Sequence, residues 1–287
     1  MKVAIIGSNG QLGQDLVAEF TSQNYEVVEL RHKDIEISDI DSVNGALQLH
    51  RPQLVINTAA YHNVSLCESS PDIARAVNVE GSKNVSQVAR EIGAKTVFIS
   101  TDFVFDGFLP SGNFNKVSDR PAPINTYGET KYFGEQQALE VDARNLVFRI
   151  SSVFGKAGSS GKGANFIEAI LAKTARGEVA EVIDDTLMSP TYTKRAASIL
   201  HTLLSIGAEG IQHGSSIGQC SWFELASFAA HKVGRSNLVI PVKSSLSQSP
   251  RRPINSSLDT SCLTALGVVN EEWRESVTNY LFEKGHC

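Results

Sequence analysis

Apolar and polar residues follow each other along the first half of the chain with the periods of short buried strands and amphipathic helices. Apolar or alternating runs typical of strands recur five times in about the first hundred residues, separated by stretches of helical period. The predicted strands span 2–6, 25–30, 34–39, 54–57, 96–99 and 145–150, and the predicted helices span 14–20, 40–49, 71–92 and 127–139. This alternation favours an α/β fold in which a doubly wound parallel sheet carries helices on both faces.

The strand–helix period weakens beyond residue 150. Helices are predicted over 165–176, 193–204, 222–233 and 271–282, with a short strand at 182–183. We therefore predict a nucleotide-binding domain of residues 1–150 and 180–207, and a smaller mixed α/β C-terminal substrate lobe of residues 151–179 and 208–287. The glycine-rich stretch 155–163 is predicted to be a flexible loop. It is not a P-loop, because it lacks a preceding buried strand and the Lys-Ser/Thr ending.

Composition and charge exclude several classes of partner. The chain has 287 residues and a formal net charge of −5, and its Lys and Arg residues form no basic stripe, which disfavours nucleic acid. No apolar run approaches the ~20 residues of a membrane span, and the N-terminus has no cleavable signal pattern, so a cytoplasmic location is expected. The four cysteines are far apart and no two histidines have ligand spacing, so no metal site is predicted.

A glycine-rich turn joins the first predicted strand to the first predicted helix. Gly7, Gly10 and Gly13 have the spacing G-x-x-G-x-x-G. The first two glycines allow a tight turn and the close approach of a pyrophosphate. The third lets the helix pack against the strand, with the helix N-terminus facing the phosphates. This placement predicts a Rossmann-like, dinucleotide-binding domain.

Two further segments are predicted to contact the cofactor. The second strand is followed by Arg31, His32 and Lys33. Their basic character suits the 2′-phosphate of NADPH; NADH is also allowed, and a solvated loop is the alternative. After the strand 54–57 come Thr58–Tyr61, whose small residues let the backbone pass close to a cofactor. We expect NADPH to be the cofactor, with Arg31 at its 2′-phosphate.

The stretch from Ser100 to Lys131 carries a set of side chains suited to proton transfer. Thr101 follows a predicted strand, and Tyr127 and Lys131 share one helix face because they are four residues apart. The Lys131 ammonium is expected to lower the pKa of Tyr127, which then moves the proton that accompanies hydride transfer at a carbonyl carbon. A solvated helix face is the alternative. Because carboxyl ends of parallel strands share one edge of a sheet, Thr101 is predicted to lie beside the glycine turn.

Two loops are predicted to complete the site. Residues 108–124 are rich in Pro, Gly, Ser and Asn and are expected to run over the active-site edge. In the stretch 251–256, Arg251 and Arg252 precede a proline. Paired arginines in such a loop suit the bidentate binding of a phosphate, and a solvated basic turn is the alternative.

Together these motifs resemble the dTDP-4-dehydrorhamnose reductase family of the extended short-chain dehydrogenase/reductase superfamily. The resemblance covers nearly the whole chain. The matching segments are 7–13, 55–61, 77–78, 100–107, 127–131, 184–185, 189–192 and 252–256. The resemblance implies NAD(P)H-dependent reduction of the 4-keto group of a dTDP-linked 6-deoxyhexose, which makes a small-molecule nucleotide sugar the expected partner. The resemblance allows a homodimer but does not decide the oligomeric state.

The resemblance also implies roles for individual residues. Thr101, Tyr127 and Lys131 match the family's catalytic triad. Tyr127 gives the proton to the developing alkoxide, Thr101 hydrogen-bonds the same oxygen, and Lys131 also holds the nicotinamide ribose. The cofactor-binding residues predicted from the motifs and the resemblance together are Gly7, Asn9, Gly10, Gln11, Leu12, Gly13, Arg31, Ala59, Ala60, Tyr61 and Lys131. The predicted substrate-binding residues are Thr101, Asp102, Phe103, Tyr127, Val153, Arg252 and Asn255.

The chain departs from the family pattern at several positions. Phe103 stands where the family usually has Tyr, and Val153 where it usually has Trp. The segment 64–68 replaces Val-Asp-x-Ala-Glu, Glu36 replaces an Asp, and Thr186 replaces a Gln. The hydride chemistry is therefore better defined than the sugar. The alternatives are a reductase or epimerase of another nucleotide sugar, and a non-catalytic NADP-binding regulatory subunit resembling that of methionine adenosyltransferase.

Overall fold

The computed structural model describes residues 1–158, 163–244 and 249–287. Residues 159–162 of the predicted glycine-rich loop and residues 245–248 of the predicted substrate lobe lie outside these ranges. Within the ranges, no helix is both long enough and apolar enough to cross a membrane.

A parallel sheet forms the centre of the fold. The strands of the described residues are β1 (Lys2–Ile6), β2 (Glu26–Leu30), β3 (Leu54–Asn57), β4 (Lys95–Thr101), β5 (Leu146–Ile150), β6 (Val153–Phe154), β7 (Ala180–Ile183), β8 (Leu187–Met188), β9 (Thr191–Tyr192), β10 (Gly210–His213), β11 (Cys220–Ser221) and β12 (Val239–Val242). Six of them pair in the order β10-β5-β4-β3-β1-β2, with every neighbouring pair parallel. The chain moves from β1 out to β2 and returns to the other side of β1 with β3. The carboxyl ends of β1 and β3 therefore flank the switch point where such sheets bind ligands.

Helices cover both faces of this sheet. The helices of the described residues are α1 (Gln11–Ser22), α2 (Ile40–His50), α3 (Val64–Ser69), α4 (Pro71–Arg75), α5 (Gly81–Glu91), α6 (Thr126–Val141), α7 (Phe166–Ala175), α8 (Thr193–Ser205), α9 (Trp222–Lys232), α10 (Ser261–Ala265) and α11 (Trp273–Glu283). A π-helical turn at Ala76–Glu80 joins α4 to α5, and short 3₁₀ turns occur at Asp102–Val104 and Ser236–Leu238.

Alternate side chains of β1 belong to different apolar cores. Val3 and Ile5 pack with α1 and α8 on one face, and Ala4 and Ile6 pack with α2 and α5 on the other. A strand buried on both faces reads as a continuous apolar run because successive side chains point to opposite sides. Each fully buried Leu, Ile or Phe contributes about 1.5–3 kcal/mol, so these two layers hold the sheet in place. The predicted doubly wound α/β class is confirmed.

Residues 34–39 form turns, so the strand predicted there is wrong. Asp34 Oδ2 accepts a hydrogen bond from Arg31 N (3.0 Å), and Glu36 Oε1 accepts one from Ser38 N (3.0 Å). Ile35 and Ile37 are both buried in the core that contains α2 and α5. Two buried isoleucines at alternate positions imitate the period of a strand, while local side-chain bonds to the backbone close turns instead.

The sequence pattern also missed β10 and α3. β10 is an edge strand that pairs with β5 alone, and of its residues only His213 is buried. A short, half-exposed strand shows little of the apolar run by which central strands are recognised.

The residues after 150 build small sheets and further helices. β7 pairs with β12 in parallel, and α7 and α9 pack against this pair. Phe154, Tyr192 and Tyr280 form a second apolar cluster with α11. α8 packs against α1, and β10 joins the central sheet. The division into two lobes at the predicted boundaries stays a prediction.

Candidate active site

A cleft of about 400 Å³ opens where the central strands end. The strands are parallel, so the residues after β1, β3, β4 and β5 all reach this edge. The cleft is lined by Gly10, Gln11, Leu12, Gly13, Thr58, Ala60, His62, Val64, Ile99, Ser100, Thr101, Asp102, Phe103, Tyr127, Lys131, Ile150, Ser152, Val153 and Trp222. The glycine turn and the predicted proton-transfer residues therefore share one cavity.

The glycine turn is shaped by contacts that leave no room for side chains. Gly7 has φ 78°, and a Cβ there would lie 2.4 Å from Thr58 Oγ1. A Cβ on Gly13 would lie 2.2 Å from the Gly7 carbonyl oxygen. α1 begins directly after Gly10, so its first N–H groups face the cleft. A backbone that passes this closely beneath a helix N-terminus suits a pyrophosphate.

Polar atoms around the turn fit a bound dinucleotide. Gln11 Nε2 and Ser8 Oγ are buried and have no hydrogen-bond partner in the described parts of the chain. Buried donors normally have partners, so these two are suited to a ligand or to ordered water. Of the other predicted cofactor residues, Leu12 and Ala60 line the cleft, and Asn9 is exposed on the turn, with its carbonyl oxygen accepting from Gln14 Nε2 (3.1 Å).

Arg31 lies farther along the sheet edge, directly after β2. Its side chain is exposed, and its Nη2 lies 3.6 Å from Glu29 Oε2, a weak surface ion pair. Its backbone N–H is held by Asp34. Contact between Arg31 and a 2′-phosphate stays a prediction.

Asn78 joins the segment that follows β3 to helix α6. Its Oδ1 accepts a hydrogen bond from Tyr61 N (2.9 Å), and its Nδ2 donates to Tyr61 O (3.1 Å) and to Thr130 Oγ1 (3.0 Å). Asn78 lies in the π-helical turn, a geometry often found near functional sites. The backbone of Ala59–Tyr61 is thereby held close to the helix that carries Tyr127 and Lys131. The matching segment Val77–Asn78 was visible in the sequence, but the role of Asn78 was not.

Helix α6 is capped and packed so that its first turns reach the cleft. The Asn125 side chain accepts from Gly128 N (2.8 Å), and the Glu68 carboxylate accepts from Thr126 N (2.7 Å) and Thr126 Oγ1 (2.8 Å). A Cβ on Gly128 would lie 2.1 Å from the Phe103 carbonyl oxygen. The glycine after Tyr127 therefore permits the close approach of α6 to the residues that follow β4.

Lys131 is buried with its amine against the end of β4. Its Nζ donates to the Ile99 carbonyl oxygen (2.6 Å) and lies 3.9 Å from the centre of the Phe98 ring. Burial lowers the pKa of Lys131 to about 7, and the nearby Glu135 carboxylate opposes that shift. Near neutral pH this amine can therefore hold or release a proton.

Tyr127 stands beside Thr101 and packs edge-on against Phe103, with 5.8 Å between ring centres. Burial raises the pKa of the Tyr127 phenol, a hydrogen bond with the Thr101 side chain opposes this, and the Asp102 charge raises the pKa further. Lys131 is not among the main causes, since its amine is directed at Ile99. The predicted lowering of the Tyr127 pKa by Lys131 is wrong for this structure, in which burial raises that pKa. A raised pKa keeps the proton on the Tyr127 phenol near neutral pH.

Five of the seven predicted substrate residues line the cleft, namely Thr101, Asp102, Phe103, Tyr127 and Val153. Phe103 and Val153 contribute apolar surface, and Val153 is 38% exposed. Sequence reasoning missed other lining residues, among them His62 and Trp222. Trp222 begins α9, whose capping box is formed by Ser221 and Glu224. No motif links a residue so distant in sequence to the cleft. Among the predicted residues, Asp102 is 2% exposed, and its carboxylate is bound by hydroxyl groups.

The loop 251–256 approaches the start of α6. Asn125 Nδ2 donates to the Arg251 carbonyl oxygen (2.9 Å), and the Arg252 side chain is exposed. Asn255 is buried, and its Nδ2 donates to the carbonyl oxygens of Pro110 (3.0 Å) and Asn113 (3.1 Å). Asn255 therefore holds the loop that begins at residue 108. Ligand contacts by Arg252 and Asn255 stay predictions. The Asn255 amide already donates to the loop carbonyl groups, which does not favour a ligand contact for Asn255.

Acidic, histidine and cysteine side chains are the usual protein ligands of metal ions. Among residues 1–158, 163–244 and 249–287, no three or more of them are grouped so that they could hold a metal ion. The cysteines in these ranges are unbridged.

The fold and the site define a class of protein. A doubly wound parallel sheet carries a glycine turn at its switch point, and a Thr–Tyr–Lys set lies in the same cleft. This is the architecture of a Rossmann-like dinucleotide-binding protein.

Comparisons with known proteins narrow this class to a family. The model of the family described as RmlD substrate binding domain matches residues 1–285. The chain is 33% identical to the spore coat polysaccharide biosynthesis protein SpsK of Bacillus subtilis over 285 residues, which is 99% of this chain and 98% of that protein. It is 33% identical to the dTDP-4-keto-6-deoxy-D-glucose reductase of Streptomyces niveus over 231 residues, 80% of this chain and 78% of that protein.

A solved structure shows the same relationship. The dTDP-4-dehydrorhamnose reductase of Bacillus anthracis, crystallised in complex with NADP, superposes with a TM-score of 0.92 at 32% identity, covering 98% of this chain and 99% of that one. The chain belongs to the RmlD substrate binding domain family. The predicted relationship to dTDP-4-dehydrorhamnose reductases is confirmed.

Proposed function

We propose that this protein uses NADPH to reduce the 4-keto group of a dTDP-linked 6-deoxyhexose, and that its substrate is dTDP-4-dehydrorhamnose, which becomes dTDP-L-rhamnose. The observation that carries the proposal is the presence of Thr101, Tyr127 and Lys131 in one cleft with the glycine turn. Membership of a family of reductases makes the chain an oxidoreductase that acts on nucleotide-sugar ketones. NADP is its cofactor, in keeping with the solved relative at 32% identity.

The residues of the chain supply the proton and the geometry for this reaction. Bound NADPH supplies a hydride to the carbonyl carbon. Tyr127 is held as a protonated phenol and donates its proton to the carbonyl oxygen as negative charge develops there. Lys131, with a pKa lowered to about 7, is suited to return a proton toward Tyr127. Gly7, Gly10 and Gly13 would hold the pyrophosphate, and Ala60 lies where the backbone would pass close to the cofactor.

The identity of the sugar substrate is a more specific part of the proposal than the reaction itself. The similar proteins include reductases named for different 4-keto-6-deoxyhexoses. Phe103 and Val153 line the apolar part of the cleft, where a methyl group and one face of a deoxysugar ring would be placed. A reductase of another nucleotide-linked 4-ketosugar is the second candidate. It is supported by Val153, an aliphatic and partly exposed wall at a position where the family usually carries Trp.

The proposed reaction can be tested by following the absorbance of NADPH. The purified chain would be mixed with NADPH and each of several nucleotide-linked 4-ketosugars, with NADH in a parallel series. We expect oxidation of NADPH with dTDP-4-dehydrorhamnose. The matched variant Tyr127→Phe keeps the ring and should lose about 10²–10⁴-fold in kcat, because it lacks the proton donor.

The outcomes separate the candidates. If only a different nucleotide 4-ketosugar is turned over, the proposed substrate is wrong, but the proposed reaction is retained. NADPH binding without oxidation of any of them would overturn the reductase proposal and favour the regulatory subunit. A homodimer and a cytoplasmic location stay predictions.

A further inference from the structure

Helix α3 continues one wall of the cleft and packs against α6. His62, two residues before α3, and Val64, its first residue, both line the cleft. Asn63 caps the helix, since its Oδ1 accepts a hydrogen bond from Leu66 N (3.1 Å). A helix of 6 residues is marginal in isolation, so contacts with neighbouring segments hold α3 in place.

Two consecutive side chains of α3 reach different parts of the site. Cys67 is buried, and its Sγ donates to the carbonyl oxygen of Tyr61 (3.3 Å), in the segment predicted to contact the cofactor. Glu68 Oε1 accepts from Thr126 N (2.7 Å), and Glu68 Oε2 accepts from Thr126 Oγ1 (2.8 Å). α3 therefore joins the predicted cofactor segment to the residue directly before Tyr127.

The Glu68 carboxylate holds the start of α6. Thr126 is the first residue of α6, and the first N–H groups of a helix have no partner within the helix. Glu68 supplies a partner to Thr126 N, and a negative charge is favourable at this end of a helix. Its two oxygens bind the backbone and the side chain of the same residue, which restricts direction as well as distance.

A second cap makes the effect of Glu68 local. Asn125 Oδ1 accepts from Gly128 N (2.8 Å) and closes the first turn of α6 without any contribution from α3. The helix therefore retains this cap when Glu68 is replaced. What changes is the position of its first turn relative to α3, and Tyr127 lies in that turn.

We propose that Glu68 is a positioning residue that sets the first turn of α6, and with it the Tyr127 phenol, against the cleft wall formed by His62 and Val64. The proposal rests on the proposed reductase function, in which Tyr127 donates the proton. Glu68 is exposed and is not among the residues that line the cleft. It therefore acts through Thr126 and not on the substrate.

Three variants separate the hydrogen bonds of Glu68 from its charge. Glu68→Ala removes both bonds to Thr126. Glu68→Gln removes the charge but can keep both bonds, because its Oε1 accepts from Thr126 N while its Nε2 donates to Thr126 Oγ1. Glu129→Gln is the matched control. It removes a carboxylate from the same turn of α6, where Glu129 Oε2 lies 3.8 Å from Arg75 Nη2 in a weak surface ion pair.

The kinetic result expected is a loss of kcat in one variant alone. Glu68→Ala should lower kcat about tenfold and leave the KM for NADPH unchanged, because proton transfer depends on the alignment of the donor. Glu68→Gln and Glu129→Gln should keep kcat within about threefold of the wild type. Wild-type kcat in Glu68→Ala would overturn the proposal, and so would a loss in either glutamine variant as large as the loss in Glu68→Ala.

A double-mutant cycle tests whether Glu68 acts through Tyr127. Tyr127→Phe removes the phenol that Glu68 is proposed to position. In that background Glu68→Ala should lower kcat no further, within about twofold. If the two losses in kcat multiply, Glu68 acts on something other than the phenol, and the proposal is overturned.

Amide hydrogen exchange needs no substrate, and it separates this proposal from the proposed function. Glu68→Ala should speed exchange about tenfold over residues 126–129 and leave residues 133–141 unchanged, whereas Glu129→Gln should change neither. Faster exchange along the whole of α6, or no change at its start, would overturn the positioning. If this exchange pattern is found but the wild-type chain oxidises no NADPH with any nucleotide 4-ketosugar, the reductase function fails and the positioning of the turn is retained.

Discussion

Glu135 and Arg149 form a buried ion pair beneath the edge of the sheet that carries the candidate active site. Arg149 Nε lies 2.8 Å from Glu135 Oε1, and Arg149 Nη2 lies 2.6 Å from Glu135 Oε2. Glu135 Oε1 also accepts from Ser100 Oγ (2.5 Å), the residue before Thr101. Since Glu135 follows Lys131 by one helical turn, this pair fixes α6 against the ends of β4 and β5. A bidentate pair supplies the directional fit that apolar contacts lack.

Breaking one side of this pair should be costly. Arg149→Met leaves the Glu135 charge buried without its partner, and we expect it to lower the free energy of unfolding by about 3–5 kcal/mol. The double variant Glu135→Leu with Arg149→Met removes both charges and should be much less destabilised than Arg149→Met alone. Denaturant unfolding of both variants and the wild type measures this. Equal stability of the single variant and the wild type would show that the pair contributes nothing.

Lys131 should destabilise the folded chain at low pH, where its buried amine is charged. This destabilisation should decrease as the pH rises. Its pKa is lowered by burial from 10.5 to about 7, so between these values the unfolded chain carries a proton that the folded chain has released. Stability due to this group therefore rises with pH across that window, by up to about 1.4 kcal/mol per pH unit. The variant Lys131→Met removes the effect and should also lack activity. The free energy of unfolding, measured at pH 6 and pH 9, should rise more with pH in the wild type than in Lys131→Met. If the difference between the two proteins is the same at both pH values, the prediction is wrong.

His213 should make the fold sensitive to acid. Its Nδ1 lies 3.0 Å from the Asp259 carbonyl oxygen, which can only accept, so Nδ1 carries the hydrogen. Burial, and then the Arg149 charge, lower the pKa of His213 from 6.5 to about 4. The unfolded chain binds a proton first as the pH falls. Stability is therefore full above pH 6.5 and is lost toward pH 4, by about 3 kcal/mol at most.

The variant His213→Gln checks that assignment. Glutamine retains a donor but does not titrate, so the loss of stability between pH 6.5 and pH 4 should be smaller in the variant. Tm measured across this pH range compares the two proteins. Parallel curves would assign the acid sensitivity to other groups.

Arg31 should discriminate between the two nicotinamide cofactors. Its guanidinium is exposed after β2 and is held only by a weak ion pair, so it is available to a 2′-phosphate. Arg31→Ala should raise the KM for NADPH about tenfold, equivalent to ~1.4 kcal/mol, and leave the KM for NADH nearly unchanged. Steady-state kinetics with both cofactors measures this, and an equal effect on both would show that Arg31 does not touch a 2′-phosphate.

Local patterns in the sequence were enough to predict the class of fold and to name the main residues of the candidate site. The apolar runs of β1, β3 and β4 have the period of buried strands, and the glycine spacing from Gly7 to Gly13 reflects backbone contacts that leave no space for a Cβ. Tyr127 and Lys131 share a helix face because of their spacing alone. Information of this kind lies within a few residues of chain and needs no knowledge of distant neighbours.

Tertiary structure decided what depends on contacts between distant segments. Ile35 and Ile37, which were predicted to lie in a strand, are buried in turns. Trp222 lines the cleft although it is distant in sequence from the other lining residues. The tertiary structure directed Lys131 at Ile99 and placed Asp102 among hydroxyls of Thr101, Ser151 and Ser256. Burial and hydrogen-bond partners set the pKa of a side chain, and both are properties of the packed molecule. The residues of the proton-transfer set could therefore be named from the sequence, while their protonation and orientation came only from the fold.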